Sequence, residues 1–345
     1  MALAPIGVRS PYTRLVSGTV GQTARADVFI WNSPDSIPST PTIVLSKPIP
    51  SSTVTTVYFD VSDFCRDFIS NTLFSSSSLD TAADVEGYCY LKVITYLDDV
   101  LYQTSVDLIC FDGYTEYLEG SNSQLQRVLL NEGTYNVSDS GGLGNITVLN
   151  GGVETWDIEY KPLFAETPLL SHTIVEEVSE NPYIHPDYIG TGGNRVTILK
   201  GGVIYKEYTF NEVCEPKYEI HLCDFINKQG AWQRITFFKV SKSSFSVTDK
   251  EYKLMPQTLP YVVGENRTQR FNINGKESIK VNTGWVDESF SEVMKQLMLS
   301  ETIRLDGLPV NITTKSSPMK KGINDKNINY EVGFMYSFDT INNIQ

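Results

Sequence analysis

Residues 195–210 read RVTILKGGVIYKEYTF, and residues 145–160 read NITVLNGGVETWDIEY, with the paired glycines in the same place. On both sides of the glycines, β-branched and aromatic residues alternate with polar ones, which is typical of two strands joined by a tight turn. A type I′ turn needs positive φ at its two central residues, which favours Gly and Asn. The pattern predicts one hairpin in each copy. The predicted turn residues are Asn150, Gly151, Gly152, Gly201 and Gly202.

A glycine-rich loop can also bind phosphate, and that alternative requires a strand, the loop and then a helix whose N-terminal amides face the anion. The residues after both glycine pairs alternate as in a strand, and neither pair is followed by Lys and then Ser or Thr. The hairpin interpretation is therefore favoured over a nucleotide site. The repetition indicates either an internal duplication or two equivalent edges of one sheet.

Strand signals also dominate the rest of the chain, as short runs rich in Val, Ile, Tyr, Phe and Thr between Pro, Ser, Asp and Gly. Helical spacing occurs in residues 60–69, with Asp60 or Ser62 as the N-cap, and again in residues 286–305. The second helix would bury one face, formed by Phe290, Val293, Met294, Leu297 and Met298. The sequence predicts a mainly β, multi-domain β-sandwich protein with a C-terminal α+β region.

Changes in pattern divide the chain into three predicted domains. Residues 1–118 would form an N-terminal β-sandwich with one short helix, and residues 119–255 a middle β domain with the repeated Gly-Gly hairpins. Residues 256–345 would form the C-terminal α+β domain. Two further hairpin turns are predicted, at Asp98-Asp99 and at Asn274-Gly275.

Composition excludes several functional classes. The 345 residues carry a net charge of -13, which argues against specific nucleic-acid binding, because a phosphate backbone is bound by clustered Lys and Arg. No apolar run reaches about 18 residues, so no membrane span is expected. The first 15 residues lack the basic start and apolar middle of a secretory signal. We therefore expect a protein that is made, and kept or assembled, in a cytoplasm.

Catalytic chemistry is not indicated by any motif. Cys65, Cys89 and Cys110 lie among apolar residues at spacings that match no zinc or redox pattern, so they are interpreted as small residues of a reduced core. His221 and Cys223 alternate along a predicted strand and could face one side, but two ordinary strand residues are the favoured interpretation. The sequence predicts no enzyme, no catalytic residue, no cofactor and no metal ligand.

Aromatic residues are the best candidates for contacts with other molecules, because the chain has 19 Tyr and 16 Phe. Tyr suits partly wet interfaces, since its ring buries area while its hydroxyl stays hydrogen-bonded. Tyr183 and Tyr188 lie in the Pro-rich segment NPYIHPDYIGTGG, which could contact a sugar or a neighbouring subunit. Trp232 is a core residue or an interface anchor.

Three segments together resemble structural tail or neck proteins of phages that infect Bacteroidota, including the crAss-like podophages. They are FDVSDFCRDFI (59–69), GAWQRITFFKVSKSSFSVTDKEYK (230–253), and the end of the chain from NTGWVDESFSEV (282–293) to INYEVGFMYSF (328–338). The resemblance is one of pattern and is spread over most of the chain. It implies a virion component without catalysis, such as a ring or tail-hub protein, present in many copies around the tail axis.

The expected function is therefore that of a non-enzymatic structural protein of a phage virion, assembled in the bacterial host cytoplasm. Its expected partners are copies of itself in a ring and other tail, neck or portal proteins. The alternative is a host-attachment or carbohydrate-binding module of a phage tail. An enzyme such as a polysaccharide depolymerase ranks third, because no pair of carboxylates can be named for it.

Overall fold

The protein is described here by a computed structural model. The described residues are 4–51, 53–73, 77–105, 107–120, 122, 125–137, 144–152, 154–184, 192–213, 217–255, 259–260, 263–264, 266–316 and 328–342. Strands make up 51% of the chain and helices 7%, with several sheets and a small C-terminal helix beside strands. The predicted fold class, mainly β with a C-terminal α+β part, is confirmed.

The first part of the chain forms two sheets with a shared core. Its elements are β1 (Ala4–Gly7), β2 (Thr13–Ser17), β3 (Thr23–Trp31), β4 (Ile43–Pro48), β5 (Thr56–Asp60), α1 (Ser62–Arg66), β6 (Thr81–Ala82), β7 (Tyr88–Leu97), β8 (Val100–Thr104) and β9 (Leu108–Phe111), with 3₁₀ turns at Val85–Gly87 and Tyr117–Glu119. One sheet has the order β1-β9-β7-β3-β4, with β8 also paired to β7, and β2 pairs with β5. Buried residues of both sheets and α1 form one cluster, so the arrangement is sandwich-like.

Local sequence explains two features of this part. Asp98 and Asp99 join β7 to β8 with φ of 49° and 63°, so they form the predicted hairpin turn with positive φ at both positions. Helix α1 has only five residues. Its N-cap is Val61, so neither Asp60 nor Ser62 takes the predicted position. Asp60 supports the first turn from one residue earlier, because one of its carboxylate oxygens accepts hydrogen bonds from the Ser62 amide (3.2 Å) and hydroxyl (2.8 Å).

The middle of the chain forms two further sheets. Its strands are β10 (Gly133–Val137), β11 (Asn145–Leu149), β12 (Trp156–Pro162), β13 (Leu170–Thr173), β14 (Val178–Pro182), β15 (Gly193–Lys200) and β16 (Val203–Glu212). The larger sheet has the order β10-β16-β15-β12-β13, and the smaller one the order β11-β14-β6. Strand β6 comes from the first predicted domain, so strand pairing crosses the boundary near residue 118.

The two Gly-Gly segments, residues 145–160 and 195–210, have different structures. Gly201 and Gly202 form the two-residue loop between the paired strands β15 and β16, with φ of 57° and 77°. Asn150 and Gly151 instead connect β11 to β12, and these strands belong to different sheets. The first copy is thus a crossover, not the predicted hairpin, because β11 pairs with β14 while β12 pairs with β13 and β15. Long-range pairing has overridden the local turn signal.

The last part of the chain is dominated by one seven-stranded sheet. Its elements are β17 (His221–Ile226), β18 (Trp232–Phe237), β19 (Lys242–Lys253), β20 (Thr268–Asn282), α2 (Phe290–Leu299), β21 (Ile303–Leu305), β22 (Leu308–Ile312) and β23 (Glu331–Tyr336). The strand order is β18-β17-β21-β22-β23-β20-β19. Strands on both sides of the predicted boundary at residue 255 therefore share this sheet.

The hairpin turn predicted at Asn274-Gly275 was also wrong, again because pairing with other strands overrides the local turn signal. Both residues lie inside the 15-residue strand β20, which pairs with β19 along its length and with β23 near its end. A Cβ atom at Gly275 would lie 2.2 Å from the ring of Phe245, so this glycine makes room for an aromatic side chain on β19. The segment that connects the two strands runs from Lys253 to Thr268, the last pair of residues in their pairing.

One hydrophobic cluster joins the middle and last parts of the chain. It runs from Val128 to Phe334 and includes the buried side of α2, where Phe290, Val293 and Met294 are buried as predicted. A smaller cluster contains Phe111 of the first part together with Leu149 and Ala231. Each predicted domain boundary is therefore crossed by one hydrophobic cluster.

Candidate functional site

The longest exposed stretch of regular structure is the outer part of the β19–β20 hairpin. We call residues 245–253 of β19 and 268–277 of β20 the ribbon. Every residue of 245–253 except Asp249 is exposed, and so is every residue of 268–273. Strand β19 ends the order of its sheet, so one of its edges has no neighbouring strand within the described residues. The ribbon is held at its inner end, where the Thr340 amide donates to the Gly275 carbonyl at 2.8 Å and the Asn274 side-chain amide donates to the Ile341 carbonyl at 3.1 Å. A two-stranded ribbon is only marginally stable by itself in water, and a free edge readily pairs with another chain.

The ribbon carries apolar side chains in addition to charged ones. Five of them are 41–56% exposed: Phe245, Val247, Tyr252, Phe271 and Ile273. Phe245 and Val247 are two residues apart on one strand and therefore face the same side. The rings of Tyr252 and Phe271 pack edge to face across the strands, with centroids 5.5 Å apart. Apolar groups gathered on a protruding element are typical of a contact surface.

A cleft of about 400 Å³ lies at the base of the ribbon. Its walls include the rings of Tyr218 and Trp285 and the side chains of Lys239, Lys242 and Lys280. Trp285 is 57% exposed, and the Lys280 ammonium lies 3.8 Å from a Glu331 carboxylate oxygen. An exposed indole beside several ammonium groups can stack on a sugar ring or hold an anionic group. No sequence pattern indicates this cleft, because Lys239 and Trp285 are separated along the chain by the whole β19–β20 hairpin.

The predicted interface aromatics have different positions. Tyr183 is fully buried in the main core, and its hydroxyl accepts a hydrogen bond from the Arg234 amide at 3.3 Å. It is therefore not a surface contact, contrary to the prediction. Tyr188 lies outside the described residues. Trp232 is half-buried, and its indole donates a hydrogen bond to the Thr72 carbonyl at 2.9 Å. It anchors the last sheet to the first part of the chain.

Trp232 also lines a small cavity of about 40 Å³, and a half-buried carboxyl group forms part of its wall. Glu180 lies beside it on β14 and accepts a hydrogen bond from the Thr147 hydroxyl at 2.8 Å. Burial raises the pKa of Glu180 to about 7, although the bond from Thr147 acts in the opposite direction. The charge of this group therefore changes near neutral pH.

Neither glycine pair is arranged as a phosphate loop in the described residues. The first strand after Gly152 is β12, and the first after Gly202 is β16. A phosphate loop would instead lead into a helix with free amides. The Gly201-Gly202 loop serves as a turn, while Gly152 donates its amide hydrogen to the Asn150 side-chain oxygen at 3.1 Å.

His221 and Cys223 do not form a nucleophile and its base. His221 accepts or donates at Nδ1 with a carboxylate oxygen of Asp306 at 2.8 Å, and this bond raises the pKa of His221. Cys223 is fully buried, and burial raises the pKa of its thiol well above the usual value. A thiol held in its protonated form is a weak nucleophile. Asp224, the next residue, forms a two-point ion pair with Arg234 at 2.7 and 2.9 Å.

Three other cysteines meet in the first part of the chain. Cys65 of α1, Cys89 of β7 and Cys110 of β9 are fully buried, and their sulfur atoms all lie within 4.8 Å of one another. The three cysteines were predicted to be core residues, and their spacing along the chain does not indicate that their sulfur atoms meet. Thiolates are ligands for soft metal ions, so this cluster has the chemistry of a metal site.

Within the described ranges the longest helix, α2, has ten residues, so no helix there has the length and apolar character needed to cross a bilayer. No family model matches the chain, and no curated protein is similar to it in sequence.

Proposed function

We propose that this chain is a non-enzymatic structural subunit of a phage tail or neck, present in several copies that pack against one another and against adjacent tail proteins. The observation that carries the proposal is the ribbon, a free-edged, two-stranded element that exposes five large apolar side chains. Such an element is stabilised when it docks on another surface. The resemblance of the sequence to phage tail and neck proteins agrees with this use.

Charge also favours docking between copies. The ribbon carries four basic residues against three acidic ones, whereas the whole chain has a net charge of -13. The basic residues are Lys250, Lys253, Arg270 and Lys276, and the acidic ones are Asp249, Glu251 and Glu277. A slightly positive ribbon is attracted to the strongly negative body of the next copy. Contact between two different patches is the heterologous type that closes into rings.

The body offers an exposed strand that fits the role of acceptor. All five residues of β8 are exposed, and three of them are large and apolar: Val100, Leu101 and Tyr102. Strand β8 pairs with β7 alone in the described structure, so it also has an open edge. On the proposed model of assembly, the ribbon of one copy packs on β8 of its neighbour.

The test is the mass of the full-length chain in solution over a range of concentrations. We expect reversible association, and we expect it to be lost when Phe245, Val247 and Phe271 are all changed to Ser. The matched control changes Phe164 and Val175 to Ser, because both are strongly exposed outside the ribbon. Circular dichroism checks that all variants fold. A wild-type chain that stays monomeric alone and with tail proteins, or a ribbon variant that still associates, contradicts the proposal.

The location in the virion is tested separately. Native particles labelled with an antibody against this chain should carry the label at the tail or neck, in several copies per particle. Particles that lack the label, or that carry it on the capsid shell, would show that the protein is not a tail or neck component.

The cleft beside Trp285 favours a second function, namely attachment to an acidic polysaccharide of the host surface. The ring stacks on a sugar, and the ammonium groups of Lys239 and Lys242 hold its carboxylates. Titration with acidic oligosaccharides should show binding that is lost in Trp285→Ala and retained in Tyr117→Ala, which alters an exposed ring outside the cleft. Equal binding by both variants, or none by the wild type, excludes this use of the cleft.

A further inference from the structure

The cluster of Cys65, Cys89 and Cys110 is built by the fold of the first part of the chain. Cys89 and Cys110 are direct partners in the antiparallel pairing of β7 with β9. Side chains of such partners lie on the same face of the sheet, close together. Cys65 comes from α1, which packs on that face, and all three side chains are fully buried. The three sulfur atoms are thus presented to one another by three different elements.

The thiols of Cys65 and Cys89 form only weak hydrogen bonds, to carbonyl groups in or next to α1. The Cys65 thiol donates to the Val61 carbonyl at 3.8 Å, and the Cys89 thiol donates to the Cys65 carbonyl at 3.7 Å. Cys223 is a useful reference for these three cysteines. It is equally buried, but it lies in the other large hydrophobic cluster and in a different sheet. Packing alone needs only a small apolar side chain at each position, so it does not require three sulfur atoms at one point.

The geometry fits a three-coordinate ion. If a metal–sulfur distance is about 2.3 Å, three sulfur atoms around one ion in a plane lie about 4.0 Å apart. The observed upper limit of 4.8 Å is therefore close to that spacing, and small side-chain rotations would close the difference. Within the described residues the cluster offers three ligand atoms and no fourth one, whereas structural zinc sites use four. Soft thiolate ligands select Cu(I) and zinc among the common ions, and the count of three ligands disfavours a structural zinc site.

We propose that Cys65, Cys89 and Cys110 form a buried three-coordinate site for a soft d¹⁰ cation, with Cu(I) as the ion that fits best. Each sulfur that forms a bond to the ion releases its proton to solvent, and the ion keeps its oxidation state, so no other reactant is needed. The site joins the five-residue helix α1, which is too short to be stable alone, to the sheet of β7 and β9. The inference is independent of the proposed role in a phage tail.

The first experiment loads the reduced full-length chain with Cu(I) under nitrogen, in competition with a coloured Cu(I) chelator. We expect one tightly held Cu(I) per chain and a rise in Tm on loading. The single variants Cys65→Ser, Cys89→Ser and Cys110→Ser should each lose the tight site. Cys223→Ser is the matched control and should keep it. Equal copper retention by the wild type and the three cluster variants overturns the proposal.

Two measurements on the wild type cover the case in which a cluster variant fails to fold. X-ray absorption of the copper-loaded chain should show three sulfur neighbours, and a shell of nitrogen or oxygen atoms would contradict the site. Thiol titration of the unreduced, denatured chain should find all five cysteines free. A disulfide between two of the three cluster cysteines, located by peptide mass spectrometry, would also overturn the proposal, because it leaves a single thiolate.

Discussion

Single glycines permit a close backbone contact between the first part of the chain and the rest. A Cβ atom at Gly113 would lie 2.7 Å from the Lys228 carbonyl oxygen, and one at Gly7 would lie 2.6 Å from the Gly113 carbonyl. The Tyr114 amide donates to the same Lys228 carbonyl at 2.9 Å. Backbone therefore meets backbone at this junction, with no side chain between the two segments. Only glycine permits so short an approach.

Gly113→Ala should accordingly destabilise the protein. The new methyl group meets main-chain atoms, which cannot rotate away, so we expect the free energy of unfolding to fall by about 1–3 kcal/mol. Urea denaturation of the purified variants measures this change. Gly87→Ala is the control, because its Cβ atom would have no neighbour within 4 Å, and it should change stability by less than about 0.5 kcal/mol. Similar losses in both variants would contradict the close junction.

Glu180 gives a pH dependence with a definite sign. Its pKa is raised from 4.5 to about 7 in the folded protein. The folded state therefore binds this proton more tightly than the unfolded state does. The resulting stabilisation is complete below pH 4.5 and is lost as the pH rises through 7. Above that pH the protein holds an ionised carboxylate in a small cavity, at a cost in stability.

Glu180→Gln removes this cost, and its side-chain oxygen can still accept the hydrogen bond from Thr147. At pH 8 we expect the variant to be more stable than the wild type by about 1–3 kcal/mol, and at pH 4.5 the two should be nearly equal. Denaturation curves at the two pH values give the comparison directly. A difference that is the same at both values would mean that the charge of Glu180 has no part in it.

At the scale of elements, the effect of an alanine can be compared between the two Gly-Gly segments, residues 145–160 and 195–210. Gly201 has a φ of 57° in the β15–β16 turn, whereas Gly151 lies in a crossover without a positive φ. An alanine in the left-handed region costs about 1–2 kcal/mol. We therefore expect Gly201→Ala to lower the free energy of unfolding by about that amount, and Gly151→Ala by less than about 0.5 kcal/mol. Equal effects would mean that both phrases turn in the same way.

The pairing of elements explains which turns the sequence could predict. The turns at Asp98-Asp99 and Gly201-Gly202 join strands that are neighbours in both sequence and sheet, so local pattern is sufficient for them. Asn150-Gly151 and Asn274-Gly275 carry equally strong turn signals. The first connects two sheets, and the second lies within β20, because β14 and β19 provide longer pairing than a local hairpin would. Local propensity is overridden where a distant strand offers more contacts.

At the scale of the whole molecule, the main hydrophobic cluster couples segments that the sequence pattern separates. Leu305 of β21 and Ile198 of β15 are both fully buried members of it. Leu305→Ala should lower the free energy of unfolding by about 2–5 kcal/mol. Because the cluster is continuous, amide hydrogens of β15 and β16 should also exchange faster in the variant, as measured by mass spectrometry. Faster exchange confined to β17, β21 and β22 would show that the regions unfold independently.

The sequence predicts the class of the fold, because apolar and polar residues alternate in its strands. It also predicts the amphipathic helix α2, because apolar residues recur there at three- and four-residue steps. It does not predict the candidate sites. The exposure of Phe271, the cleft beside Trp285 and the meeting of Cys65 with Cys110 depend on which distant strands lie side by side. Tyr183 illustrates the converse, because its Pro-rich surroundings suggested a surface loop while tertiary packing buried its ring.

The position of β23 has a consequence for the timing of maturation. This strand, residues 331–336, lies between β22 and β20 in the middle of its sheet, although it follows every other strand of that sheet along the chain. Until it has left the ribosome, β20 lacks its inner neighbour and nothing holds the ribbon at a fixed angle to the body. On the proposed model of assembly, a nascent chain that ends before residue 331 would therefore be unable to engage another copy through a fixed ribbon.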